Sequence, residues 1–323
     1  MKEKKVNILV LTNKIFTLSD QYRSMIEDVT KGGHITVTPH RNVTEEMLTE
    51  ADIIFGWPKE EEINKAVNLS WLHLPSAGAD AYIEPNLYLN KDVLLTTSSG
   101  VYGMPIAEHV IAMILSYNRN LQEYALLKQE KIWDNNHTTR DFYGSTIGII
   151  GFGDIGNELA IRAKALGARV LIVKRKPSTM PEYVDKQYIT EDIDEVLRQA
   201  DCIVLTLPAT EKTKGIISRE RLNVMKQDAF LVNIGRGELI DQDALIEALK
   251  ENKIGGAGLD VMTPEPLPVE NPLWELPNVM ISQHSSGISV GNDSRRAELF
   301  ISNLKRYLNK ETLINEVDFS EGY

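Results

Sequence analysis

Apolar residues along the chain come in short runs of strand length, separated by longer stretches of helical character. That alternation is the pattern of a parallel sheet wound with crossover helices. The runs fall into two series. The first comprises residues 6–11, 35–38, 53–56, 71–74 and 93–96; the second comprises 146–150, 170–173, 202–207, 230–233, 256–259 and 279–282. Two α/β sheets are expected. Residues 51–58 and 200–208 both run Ala-Asp, apolar strand, then proline, which reads as similar strand chemistry. Between the series, residues 105–133 carry Ile106, Val110, Met113, Ile114, Tyr117 and Leu121 at spacings of mostly three or four. This predicts one long amphipathic helix, with Pro105 near its start. A last helix is expected over 291–308, and packing it back on the first domain would build that domain from both ends of the chain.

Composition narrows the class. A chain of 323 residues, 42% apolar and 25% charged, has the length of two globular domains of ordinary size. Acidic residues outnumber basic ones by 46 to 35, a net charge of -11 that favours solubility and disfavours a role on nucleic acid. The one cysteine, Cys202, lies in the apolar run A-D-C-I-V-L-T-L and reads as a small buried filler without a disulfide partner. His34, His40, His73, His109 and His137 show no ligand spacing, so no metal is expected. Basic residues open M-K-E-K-K-V-N-I-L-V-L, but the apolar run that follows is too short for a signal-peptide core, and no stretch reaches membrane-spanning length. A reduced, cytoplasmic protein with no membrane partner is the expectation.

The strand T-I-G-I-I is followed by G-F-G-D-I-G, Gly151 to Gly156, and then by a helical segment ending at Gly167. Glycines at this spacing serve a tight turn, close backbone approach to a pyrophosphate, and close packing of helix on strand. The helix N-terminus then faces the phosphate charge. The next strand ends in Lys174, Arg175 and Lys176, where an acidic residue would accept from ribose hydroxyls. Positive charge there suits a 2′-phosphate, so NADP is favoured over NAD.

Three further stretches, V-N-I-G-R-G, G-L-D-V-M-T-P-E-P-L and I-S-Q-H-S-S-G, each follow a strand of the second series. They put Arg236, Glu265 and His284 near the carboxyl edge of one sheet, where open α/β sheets bind ligands. Taken singly, Arg236 reads as a surface charge, Glu265 as a loop residue and His284 as a strand-end cap. Their joint order beside a dinucleotide loop is what points to catalysis.

With L-P-A-T-E-K-T and N-I-G-R-G-E-L-I-D added, the motifs occur in the order found in the D-isomer-specific 2-hydroxyacid dehydrogenases, which the sequence resembles over nearly its whole length. The resemblance implies two doubly wound parallel-sheet domains. A Rossmann dinucleotide-binding domain over 101–290 would be inserted in a flavodoxin-like substrate domain made of 1–100 and 291–323. It implies a catalytic set of Arg236, Glu265 and His284. In such a set the imidazole, with an ordinary pKa of about 6.5, gives a proton to the carbonyl oxygen of a 2-keto acid as hydride arrives. The glutamate holds the other ring nitrogen, and the arginine grips the substrate carboxylate.

The same resemblance places Gly151, Phe152, Gly153, Asp154, Ile155, Gly156, Lys174 and Arg175 at the dinucleotide. Leu207, Pro208, Thr213, Ile234, Gly235, Asp260 and Ser286 join them, with Arg236 and His284. Ser76, Ala77, Gly78 and Val101 fall on the substrate side, though Ser76 equally fits a simple tight turn. Trp57, Leu74, Tyr102 and Met104 are either pocket walls or core. The segment 105–133 resembles the family's dimerisation region, so a homodimer is expected, with packing within the chain as the alternative role for its apolar face. Departures from the family pattern are Gln283 where proline is usual, Met262 where an aromatic is frequent, and Lys174 in place of an acid. Formate dehydrogenases of this fold pair their histidine with glutamine, and Glu265 argues against that activity. The reading is an NAD(P)-dependent reductase of small 2-keto acids. Its rivals are a corepressor-like dinucleotide sensor and an amino-acid or nucleoside enzyme, the last of which would need a cleft lysine or cysteine.

Overall fold

The computed structural model describes residues 5–319, so residues 1–4 and 320–323 of the expected outer domain lie outside the described residues. The chain divides into two compact units, one holding the residues up to Val101 and from Ser289 on, the other running from Tyr102 to Ile288. In the first, β1 (Asn7–Thr12), β2 (His34–Pro39), β3 (Ile53–Phe55), β4 (Trp71–Leu74) and β5 (Leu94–Thr97) form a parallel sheet ordered β2-β1-β3-β4-β5. Helices α1 (Asp20–Thr30), α2 (Glu45–Glu50) and α3 (Glu60–Ile63) lie between its first four strands.

The second unit opens with α4 (Gly103–Asn118) and α5 (Leu121–Glu130). It continues with β6 (Thr146–Ile150), α6 (Asp154–Ala165), β7 (Arg169–Lys174), β8 (Lys186–Ile189), α7 (Ile193–Gln199), β9 (Cys202–Leu205) and α8 (Arg219–Val224). After these come β10 (Phe230–Asn233), α9 (Gln242–Lys250), β11 (Gly256–Leu259) and β12 (Val279–Ile281). Its seven parallel strands run β12-β11-β10-β9-β6-β7-β8. The strand order reverses between β6 and β9, a topological switch point of the kind at which doubly wound sheets bind ligands.

The final helix, α10 (Asn292–Leu308), belongs to the first unit, where Phe300 stacks on Phe55 at 4.4 Å and on Trp71 at 5.1 Å between ring centroids. Strand alternation explains why it is needed. Leu9 and Leu11 point into one apolar cluster with Ile54 and Leu72, whereas Ile8 and Val10 point into another with Phe300 and Leu304. Both faces of the sheet are apolar, so both must be covered. Removing a fully buried aromatic such as Phe300 would cost about 3–5 kcal/mol.

Two expectations are corrected. The segment 105–133 is not one helix: α4 starts two residues before Pro105 and ends at Asn118, and Asn120, in the left-handed conformation (φ 54°), turns the chain into α5. Asparagine tolerates that conformation, and its side chain is tied to Thr138 O at 3.0 Å. Pro105 fits because first-turn N–H groups have no helical acceptor. Strand β8, K-Q-Y-I, was absent from the expected set because an edge strand with only Tyr188 buried has no apolar run to mark it.

Candidate active site

The glycine loop lies at the switch point. Gly151 adopts φ 107°, and its N–H donates to Val173 O at 3.1 Å, which ties the loop to the end of β7. Thr206 donates its hydroxyl to Gly151 O at 2.6 Å from the other side. A β-carbon at Gly156 would collide with Gly151 O, so glycine is what lets α6 press against the turn. Gly153, the N-cap of α6, has open space where a β-carbon would be. The loop is therefore tight on its protein side and open at the helix N-terminus, which fits a pyrophosphate held by backbone N–H groups.

Around this loop, Lys174 ends β7 with its ammonium 2.8 Å from Ser178 Oγ and 5.5 Å from the Phe152 ring centroid. Arg175 beside it is exposed. Asp154 turns back toward α4; burial and Glu158 push its carboxyl up, and the N–H of Gly103 offsets this only in part. Ile155 is half-buried. Thr213 donates to Pro208 O at 2.7 Å and accepts from Thr210 N, which folds the loop after β9. The Gly235 backbone packs directly on that of Leu207, and Ile234 is buried.

Arg236, Glu265 and His284 come from the loops after β10, β11 and β12. Asn233 accepts from Gly235 N at 3.1 Å and donates to Arg236 O at 2.8 Å, fixing the backbone that presents Arg236. The next residue, Gly237, is pressed on the Met262 backbone so closely that a β-carbon would collide with it. That contact joins the arginine loop to the glutamate loop. Gln242 of α9 holds Thr263 through paired bonds of 2.7 and 3.0 Å. Glu265 accepts from Met262 N at 3.1 Å with Oε1, leaving Oε2 at 2.8 Å from His284 Nδ1.

His284 is 53% exposed at its side chain and sits at φ 48°, in the left-handed region that a non-glycine residue rarely occupies. Asp260, only 1% exposed, accounts for it. Its carbonyl accepts from His284 N at 2.8 Å, and its carboxylate accepts from Ser285 N at 2.9 Å and Ser286 N at 3.0 Å. Three consecutive N–H groups are thus bound by one residue. Burial alone would push the Asp260 carboxyl up, but the hydroxyls of Ser282 and Ser286 and the two backbone N–H groups together outweigh it and hold it below its usual value. Gln283 and Glu265 are exposed, while Met262 and Ser286 are buried.

In the first unit, the loop after β4 is held at several points. Ser98 donates from its N–H to Ser76 O at 2.8 Å and from its hydroxyl to Leu74 O at 2.9 Å. Arg296, 3% exposed, donates to Pro75 O at 3.0 Å. The Ser76 hydroxyl accepts from Trp57 Nε1 at 3.1 Å and donates to Gly78 O at 2.9 Å. Its hydrogen is therefore engaged, whereas among the described residues the N–H groups of Ala77 and Gly78 meet no acceptor. Beneath the loop, His73 is fully buried between Thr96 and Ser98. Ser98 gives its proton to Leu74 and Thr96 accepts from Trp71, so the His73 ring proton is on Nε2. Burial pushes its pKa down to about 3, and the ring is neutral. Leu74 is core and Val101 is buried, while Met104 is exposed.

Residues 111–286, more than half of the chain, match the family described as D-isomer specific 2-hydroxyacid dehydrogenase, NAD binding domain. The chain belongs to the D-isomer-specific 2-hydroxyacid dehydrogenase family. This places it among the NAD(P)-dependent 2-hydroxyacid dehydrogenases. It is 34% identical over 311 residues to the glyoxylate reductase of Thermococcus kodakarensis, covering 84% of this chain and 92% of that one. A solved family member from Aeromonas salmonicida superposes with a TM-score of 0.87 at 30% identity, over 98% of this chain and 99% of that one. The family member of Xanthobacter autotrophicus, solved with NADPH and MES, gives 0.82 at 26% identity, over 99% and 100%. What the motif reading of this dehydrogenase missed is the role of Ser282 and Asp260 as a clamp under the histidine. An aspartate in G-L-D-V is visible in the sequence, but its three backbone partners lie on a different loop.

Proposed function

We propose that this dehydrogenase reduces a small 2-keto acid to its D-2-hydroxy acid, with Arg236, Glu265 and His284 as the catalytic residues. The observation that carries the reading is the 2.8 Å bond between Glu265 Oε2 and His284 Nδ1. It commits Nδ1 and leaves Nε2 as the nitrogen that can face substrate. The glutamate fixes the ring and stabilises the imidazolium, so that Nε2–H gives its proton to the carbonyl oxygen. In the reverse direction the neutral ring takes the hydroxyl proton. Arg236, always cationic and planar, grips the carboxylate and polarises the carbonyl. In the first unit, Ser76, Ala77 and Gly78 are proposed as substrate-binding residues, with the N–H groups of Ala77 and Gly78 as donors to an anion and Ser76 holding their loop against Trp57.

The loop Gly151–Gly156 and the N-terminus of α6 would hold the pyrophosphate of a nicotinamide dinucleotide, which when bound supplies the hydride. Lys174, next in the chain to Val173, whose carbonyl bonds the loop, and Arg175 place positive charge beside it. This supports NADP as the preferred cofactor, in keeping with the NADPH bound in the Xanthobacter relative. A homodimer is proposed through α5, in which no residue is buried and Leu121, Tyr124 and Leu126 are exposed. Absorbance loss of NADPH and of NADH with glyoxylate, hydroxypyruvate, pyruvate and bulkier keto acids tests the reading. Tight NADPH binding without turnover of any of them would favour a dinucleotide sensor.

A further inference from the structure

The clamp beneath His284 does not end at Asp260. Ser282 Oγ lies 2.5 Å from Asp260 Oδ1, and because the carboxylate is ionised the hydroxyl must be the donor. The same oxygen lies 3.0 Å from Nε2 of His109. With its own proton given to Asp260, Ser282 can only accept here, so His109 carries its proton on Nε2. A directed chain results: His109 N–H to Ser282 O–H to the Asp260 carboxylate, which in turn holds the N–H groups of Ser285 and Ser286.

Helix geometry explains why His109 reaches this loop. Tyr102, Ile106 and His109 recur at spacings of four and three, so they lie on one face at the start of α4. A β-carbon at Gly287 would touch Tyr102 and Ile106 at 3.3 and 3.8 Å, so the loop after β12 runs along that face. His109 is the residue there that donates to it.

We infer that His109 is a positioning residue for His284, acting through Ser282 and Asp260. Its N–H fixes the rotamer of the Ser282 hydroxyl and keeps Asp260 ionised and oriented. Asp260 in turn binds the N–H groups of His284 and of the two residues after it, the turn that holds His284 at its left-handed φ. Without the donor, the Ser282 hydroxyl is free to rotate away from Asp260, the loop loosens, and the ring loses its alignment with Glu265. None of this requires His109 to touch substrate or cofactor.

The structural half of this inference stands alone, while its kinetic half rests on the keto-acid reduction proposed above. The test compares the full-length parent with His109→Leu, His109→Gln and Ser282→Ala. Amide hydrogen exchange is followed in the cofactor-free proteins, and turnover is measured with NADPH and the keto acid the parent reduces best. Leu and Ala should speed exchange in the peptide spanning 281–288 while leaving the β6 and β7 peptides unchanged. They should also lower kcat by about tenfold or more with little change in KM, as small misplacements of a reacting group do. Gln, whose amide N–H can reach Ser282, should restore most of both. Should one variant fail to fold, the other breaks the same chain from its opposite end. Unchanged exchange at 281–288 in the folded variants overturns the clamp, whatever the activity. Faster exchange with undiminished kcat overturns the positioning of His284. If the parent reduces no keto acid, the proposed function has failed, and the exchange measurement still decides the clamp.

Discussion

Glu265 Oε2 sits 2.8 Å from His284 Nδ1, although the two residues are 19 positions apart and belong to loops after different strands. Gln242 and the N–H of Met262 brace the glutamate loop, and Asp260 braces the histidine loop, so the pair is held from both sides. Replacing His284 with Gln should lower kcat by about 10²–10⁴-fold while leaving dinucleotide affinity nearly intact. Glu265→Gln should cost at least about tenfold in kcat, because an amide neither stabilises an imidazolium as a carboxylate does nor fixes the ring proton. Steady-state kinetics beside a fluorescence titration of NADPH check both, and parent-like kcat in His284→Gln would remove the histidine from the mechanism.

Gly156 is required by contact with the Gly151 carbonyl. Gly156→Val should push α6 off the turn and weaken dinucleotide binding by about tenfold or more, with a loss of stability typical of overpacking, about 1–3 kcal/mol. Gly153→Ala, at a position with open space on the protein side, should preserve the melting temperature while weakening NADPH binding. Calorimetry of binding alongside thermal melts separates the two; unaltered affinity in Gly153→Ala would mean that no ligand approaches there.

Lys174 ends β7 and Arg175 follows it, beside the glycine loop. Lys174→Asp should raise the KM for NADPH by about tenfold or more and lower that for NADH, since a carboxylate accepts from ribose hydroxyls and repels a 2′-phosphate. A Michaelis comparison of the two cofactors in parent and variant is sufficient. A parent that already prefers NADH would overturn the NADP assignment.

His73 makes acid stability depend on one buried ring. Burial lowers its folded pKa from the ordinary 6.5 to about 3, so above 6.5 it is neutral in both states and contributes no pH dependence. Between those values the unfolded chain binds a proton that the folded chain refuses, and stability falls as pH drops through the window. Near pH 5 the loss is on the order of 2 kcal/mol. His73→Gln, which does not titrate, should lose less melting temperature between pH 7 and pH 5 than the parent does; equal losses would show that other groups dominate.

Much of this was legible in the sequence because the physics is local. A glycine loop between a strand and a helix needs no tertiary information, and sheets apolar on both faces show as continuous runs, so ten of the eleven expected strands match within one residue at each end. The remaining one, 202–207, also shares its start but stops at Leu205, where the backbone leaves the sheet. The motif order placed Arg236, Glu265 and His284 at one sheet edge. Edge strand β8 and the break at Asn120 were not legible, since each depends on a partner rather than on a pattern. Only the tertiary structure decided how His284 is held: its left-handed backbone, the three N–H groups gathered by Asp260, and the proton direction from His109 through Ser282. A hydrogen bond across 173 positions leaves no trace in periodicity or spacing. It exists because the loop after β12 runs along the face of α4 that carries Tyr102, Ile106 and His109, which brings the imidazole to Ser282.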